Sequence, residues 1–135
     1  MCVLKWPTSR IGRGARRTVW RVLVVTRYRV PPVEAPEFQQ QAGAALEVLT
    51  ARVGCLGGRV GRSIDEPELW LLATSWQTVG AYRRALSAPE VKMRAVPLMY
   101  RCIDEPTAFE DLITADPGSG PVEHVSDLAV TWPER

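Results

Sequence analysis

RSIDEPELWLLATSWQTVGAYRRALSAPEV, residues 62–91, runs from a turn into a strand and on into a helix. Asp65-Glu66-Pro67 has turn composition, and the apolar run Glu68–Trp76 that follows reads as a strand. Side chains alternate across a strand, so Trp70, Leu72 and Trp76 share one face, while Leu69, Leu71 and Ala73 share the other. From Thr78 to Leu86 the spacing changes to helical, with Val79, Tyr82, Ala85 and Leu86 on one side. Ser87-Ala88-Pro89-Glu90 has the form of a capping box, which predicts a second helix with a stripe of Val91, Ala95, Leu98, Met99 and Cys102. Pro97 must kink or end that helix, because its ring clashes with the carbonyl four residues earlier. Leu98–Ile103 is then either helical or extended.

Toward the N-terminus, residues 55–63 (CLGGRVGRS) read as a glycine-punctuated strand that pairs with 68–76 as an antiparallel hairpin. Gly57, Gly58 and Gly61 match neither GxGxxG nor a phosphate loop, and mark a bulge or a close backbone approach instead. Before them, a helix is expected from Pro36 to about Val53, with Phe38, Ala42, Ala45, Leu46, Leu49 and Val53 as its apolar stripe and Gly54 as its stop. WRVLVVTRYRV, residues 20–30, reads as a strand with Val22, Val24, Thr26 and Tyr28 on one face and Leu23, Val25, Arg27 and Arg29 on the other. Pro31-Pro32 ends it. Toward the C-terminus, residues 107–113 (TAFEDLI) are expected as the last strand and Pro117–Pro121 as a linker. The apolar residues of 122–132 predict a tail that docks on its own domain or on a partner.

The order β-α-β-β-α-β is that of a ferredoxin-like α+β domain, with helices on one face of an antiparallel sheet. The first and third strands carry large apolar groups on both faces, so the sheet needs a second cover. A symmetric partner sheet supplies one, giving a homodimeric α/β barrel. The expected organisation is a basic arm at 1–18, the domain at 19–115 and an acidic tail at 116–135.

Charge follows that division. Residues 1–19 carry Lys5, Arg10, Arg13, Arg16 and Arg17 and no acid, while 102–135 carry eight acids against Arg135 alone. No nucleic-acid motif accompanies the basic arm, so a solvated end is preferred to a nucleic-acid contact. No run of about 18 apolar residues exists, so no membrane span is expected. Arg16-Arg17 lack the cleavage site of an export signal. Cys2, Cys55 and Cys102 are odd in number and scattered, and with His124 the only histidine they spell no zinc site. A reduced, cytoplasmic protein follows, with Cys55 and Cys102 packed as thiols.

VVTRYRV followed by PEF, and then the stretch 62–91, are similar to the antibiotic biosynthesis monooxygenase family of dimeric α/β barrels. The resemblance covers about residues 20–113, with Trp76, Ala81-Tyr82 and the serine-proline turn as its best points. It implies a cofactor-independent monooxygenase acting on a small aromatic or quinol-like compound of polyketide type. Such chemistry needs a dry pocket and donors for the substrate's anion. The resemblance points to Trp76, Tyr82 and Arg62 as catalytic groups and to Thr26, Tyr28 and Trp70 as pocket walls. Arg62 alone of these carries a permanent positive charge. The competing readings are core packing for Trp76 and Tyr82, a surface position for Arg62, and a dimer-interface anchor for Trp70.

Relatives that carry a histidine after the tryptophan would place it near Ala85. Haem-degrading relatives would place an asparagine, a tryptophan and an axial histidine near Thr26, Ala85 and Ala95. None is retained, so no haem, metal or other cofactor is expected. A non-catalytic ligand-binding or interaction module with the same barrel is the alternative. His124 would serve as a base only if the tail folded over a pocket.

Overall fold

The computed structural model describes residues 20–125. Strand β1 spans Trp20–Arg29, and a short 3-10 turn at Pro32–Glu34 leads into helix α1, Ala35–Thr50. Strands β2 (Cys55–Arg62) and β3 (Leu69–Thr78) follow, then three helical segments: α2 (Val79–Leu86), α3 (Pro89–Arg94) and α4 (Val96–Met99). The described chain ends in β4 (Ala108–Glu110), β5 (Ile113–Asp116) and β6 (Gly120–Glu123). Four strands form one antiparallel sheet in the order β2-β3-β1-β4, while β5 and β6 form a separate pair. This is the ferredoxin-like α+β arrangement expected from the element order.

Alternation along β1 and β3 sorts the core. Val22, Val24, Thr26 and Tyr28, with Trp70, Leu72, Thr74 and Trp76, are buried beneath the helices. The opposite face is apolar but only part-covered, through Leu69, Leu71, Ala73 and the more exposed Leu23. Helix α1 seats Phe38, Ala42, Ala45, Val48 and Leu49 on the sheet. It ends at Thr50, earlier than its apolar spacing implies, so Val53 lies exposed and Val48 takes a place in the core. Gly54 sits beyond that end at φ +92°, where a Cβ would lie 2.5 Å from that of Ala81. There the left-handed backbone and the close approach both call for glycine.

Two of the three hairpin glycines do what their spacing implies, while Gly61 marks neither a bulge nor a close approach, since a Cβ there would meet Leu71 only at 3.9 Å. Gly57, at φ +137°, lies where the β2–β3 register shifts, and Gly58 brings the backbone so close that a Cβ would meet the Ala73 carbonyl and Leu46. In the turn between the strands, Ser63 Oγ accepts from the backbone N–H groups of Asp65 and Glu66.

Several local expectations are corrected. The helix expected after Ser87-Ala88-Pro89-Glu90 does begin there, as α3, but its N-cap is Ala88 with no side-chain bond, while Ser87 closes α2, whose own cap is Thr78, its Oγ1 accepting from Ala81 N–H at 3.0 Å. Pro97 does break the helical stretch, at Ala95, but Leu98 and Met99 remain helical and buried. Residues 107–113 are not one strand. β4 pairs with β1 for three residues, and the chain then leaves the sheet, with Asp111 N–H donating to the Arg21 carbonyl. The Pro117–Pro121 stretch turns β5 back into β6 instead of linking to a tail. Cys102 is part-buried against the core. The basic arm and residues 126–135 lie outside the described residues.

Candidate functional site

The register aligns the candidate residues in rows across the inner face. Arg62, Trp70 and Tyr28 are successive partners on β2, β3 and β1. The next row is Val60, Leu72 and Thr26, and two rows further on Trp76 stands opposite Val22. Thr26, Tyr28, Trp70, Trp76 and Tyr82 are all buried; Arg62 is exposed.

At one end, aromatic rings form a chain. Phe38 of α1 lies between Tyr28, at 5.1 Å between centroids, and Trp70, at 5.3 Å. The Arg62 guanidinium stacks over Trp70 at 5.3 Å from the ring centroid. At the other end Trp76 and Tyr82 meet at 5.5 Å.

Polar atoms thread this apolar interior. Thr26 Oγ1 and the Tyr28 hydroxyl are 2.7 Å apart, and Thr26 can donate onward to the Leu72 carbonyl at 3.4 Å. Trp76 Nε1–H donates to Thr74 Oγ1 at 2.9 Å. The Tyr82 hydroxyl and the Trp70 Nε1–H are buried and have no hydrogen-bond partner among the described residues. Burial pushes the Tyr28 phenol up to about 12, against smaller downward pulls from the Thr26 bond and Arg101. Tyr82 is pushed higher still, first by burial and then by the Tyr28 hydroxyl. Both phenols are therefore neutral hydrogen-bonding groups near pH 7.

A cavity of about 480 Å³ opens between α1 and the β2–β3 edge, with Arg62 and Trp70 in its wall. Trp76, Tyr82, Thr26 and Tyr28 do not line it; they lie deeper, in the core. Sequence reasoning missed Thr74 and Phe38. Thr74 was visible as the buried-face residue between Leu72 and Trp76. Phe38 gave no sign beyond its place in a packing stripe. Ala85 and Ala95, where relatives' histidines would fall, are buried core positions. Burial raises the Cys55 thiol, and its Sγ lies 3.7 Å from the Gly57 carbonyl. His124 Nε2 is 2.8 Å from Thr114 Oγ1, within the β5–β6 hairpin. Among the described residues, no cluster of three or more His, Cys, Asp or Glu is placed to hold a metal ion, and no helix is long and apolar enough to cross a membrane.

Known structures share this architecture. SnoaB, a cofactor-independent oxygenase from Streptomyces nogalater, superposes with a TM-score of 0.58 at 23% identity, covering 67% of this chain and 93% of that one. A conserved protein from Methanosarcina mazei gives 0.58 at 21%, over 68% and 93% of the two chains. A protein of unknown function from Bacteroides thetaiotaomicron gives 0.61 at 11%, over 69% and 99%. At these identities the likeness is one of fold. No curated protein matches the chain. Residues 21–93, more than half of the sequence, match the family model described as antibiotic biosynthesis monooxygenase, and the chain belongs to that family.

Proposed function

We propose that this protein is a cofactor-independent monooxygenase for a small aromatic or quinol-like compound of polyketide type, working as a homodimer. The observation that carries the reading is the buried, unpartnered hydroxyl of Tyr82 beside Trp76, in an interior that already keeps Tyr28 and Thr26 polar. An unmade hydrogen bond in such surroundings costs about 1–3 kcal/mol, and a substrate oxygen would recover it.

In this reading the substrate supplies the electrons. An activated CH2 flanked by aromatic rings loses a proton, and the anion passes an electron to O2. The two radicals join as a peroxide, and after protonation loss of water leaves a carbonyl; one substrate and one O2 give one ketone and one water. The protein's share is to favour the anion. Arg62 and Trp70 line the cavity, where Arg62 supplies positive charge; Tyr82, with Trp76, Tyr28 and Thr26, lies in the core behind it and would donate to the substrate oxygen only where the interior opens to admit it. No carboxylate or imidazole stands among these residues, so ionisation rests on raising the substrate's own acidity.

The homodimer is supported by the part-covered apolar face of the sheet, around Leu69, Leu71 and Ala73. Action in the cytoplasm is proposed from the sequence alone. The second reading, a barrel that binds ligand without turnover, is favoured by the alanines at positions 85 and 95, which leave the interior without a base.

An oxygen electrode with an anthrone or quinol substrate separates the two. Oxygen uptake that falls at least tenfold in Trp76→Phe or Tyr82→Phe, with the dimer intact, is the expected result; loss of one hydrogen bond in a dry site is worth that much. Unchanged turnover in both variants overturns the site, and binding without any uptake leaves the second reading.

A further inference from the structure

Trp70 and Trp76 stand on the same buried face of β3, yet their indole N–H groups differ. Trp70 Nε1 has no hydrogen-bond partner among the described residues, whereas Trp76 Nε1–H donates to Thr74 Oγ1 at 2.9 Å. Thr74 is 2% exposed and lies across from Val24 of β1 and Gly58 of β2. Its β-branched side chain carries two γ substituents, so fixing one fixes the other. Gly58 fixes the methyl: a Cβ at residue 58 would lie 2.8 Å from Thr74 Cγ2, so the methyl fills the space that the glycine leaves. The hydroxyl is then turned to the indole of Trp76, whose ring meets that of Tyr82 at 5.5 Å and 51°. Trp76, fully buried, is thereby held through its nitrogen by Thr74 and through its ring by Tyr82.

We propose that Thr74 is a positioning residue for the oxygenase reaction: it engages the Trp76 N–H, so that Trp76 meets a substrate with its ring and Tyr82 is the donor of the pair. Indole has a single N–H and no acceptor, so Trp76 bonded to Thr74 has no hydrogen bond left to give a substrate oxygen. The Tyr82 hydroxyl, without a partner among the described residues, does. A dry site favours a developing anion when its donors are fixed before the substrate arrives, because nothing then has to reorient at the moment of reaction. Thr74 supplies that fixation to Trp76, and the ring contact passes it to Tyr82. The inference rests on the oxygenase reading and deepens it by adding a residue that acts without touching the substrate.

Proton–nitrogen NMR of the full, isotope-labelled chain reads the bond without any reaction, the indole crosspeak of Trp76 being the one that disappears in Trp76→Phe. It is expected downfield, where a bonded indole N–H resonates. In Thr74→Val, which keeps the branched shape and removes the hydroxyl, it should move to the unbonded position. Thr74→Ser, which keeps the hydroxyl, should hold it near its wild-type place. Oxygen uptake with an anthrone then reads the role. Thr74→Val should lower kcat at least about tenfold with KM little changed, the mark of an interaction that counts in the transition state, and Thr74→Ser should recover most of the loss. A wild-type crosspeak at the unbonded position overturns the proposal before any Thr74 variant is made, so a Thr74→Val chain that fails to fold does not shield it. Unchanged kcat in Thr74→Val, or an equal loss in Thr74→Ser, overturns the positioning role while the oxygenase reading stands. No uptake by the wild-type protein, with the crosspeak as expected, overturns the oxygenase reading and the positioning role together.

Discussion

Tyr28 and Tyr82 place two hydroxyls in one apolar interior, the first bonded to Thr26 and the second without a partner among the described residues. Removing them should therefore have different effects. Tyr28→Phe removes that bond, leaving Thr26 only its longer one to the Leu72 carbonyl, and should cost about 1 kcal/mol in urea unfolding, whereas Tyr82→Phe should be neutral or stabilising by a similar amount. The same burial sets an alkaline limit. Both folded phenols titrate above their ordinary value of 10, so the fold prefers the protonated form. This contribution is whole below about pH 10 and is lost as pH rises through the folded values, because the unfolded chain gives up its protons first. Unfolding monitored with tyrosinate absorbance should begin just above that pH, and the Tyr28→Phe/Tyr82→Phe double variant should move the onset upward. Why these residues matter was only half legible in the sequence. Alternation put Thr26, Tyr28, Trp70 and Trp76 on one face, but which polar atoms are satisfied depends on rotamers and on partners far along the chain. Arg62 illustrates the gap: its stacking on Trp70 follows from strand register, which no residue pattern states.

At the level of elements, the strands and α1 were readable because period-two and helical spacing both survive in single segments. Their ends were not. Val53 continues the stripe of α1 on paper, yet the chain has already turned toward Gly54, whose position is fixed by contact with Ala81 of α2. Ser87 fits the capping-box pattern, but Ala88 opens α3 and Thr78 caps the helix before it. The final strand failed for a similar reason. Its apolar residues suit any sheet, and only hydrogen bonding to β1 shows that Ala108, Phe109 and Glu110 join it. The glycines make the contrast measurable. Gly54→Ala should cost about 1–3 kcal/mol through strain and overlap, while Gly43→Ala, with open space and a helical backbone, should stabilise by about 0.5–1 kcal/mol. Thermal unfolding of the two variants, scored for sign, checks both statements.

For the whole molecule, the sheet has one face sealed by helices and another, around Leu71, left part-covered. Light scattering at micromolar concentration should give about twice the chain mass, and Leu71→Asp should give a folded monomer, since a buried carboxylate there would lack a partner. A wild-type monomer would remove the argument for pairing. The β5–β6 hairpin adds a second whole-molecule consequence. Among the described residues its strands bond to each other, with little beyond the Leu112 carbonyl and Thr114 to hold the following segment, and Leu112, Ile113, Val122 and Val125 are exposed. A lone two-stranded hairpin is marginal in water and opens on its own, independently of the domain. In deuterated buffer its amides should exchange well before those of β1 and β3, which gives a built-in clock. Any partner that covers the hairpin would slow that clock, and the slowing would locate the contact to within these few residues without any label on the protein.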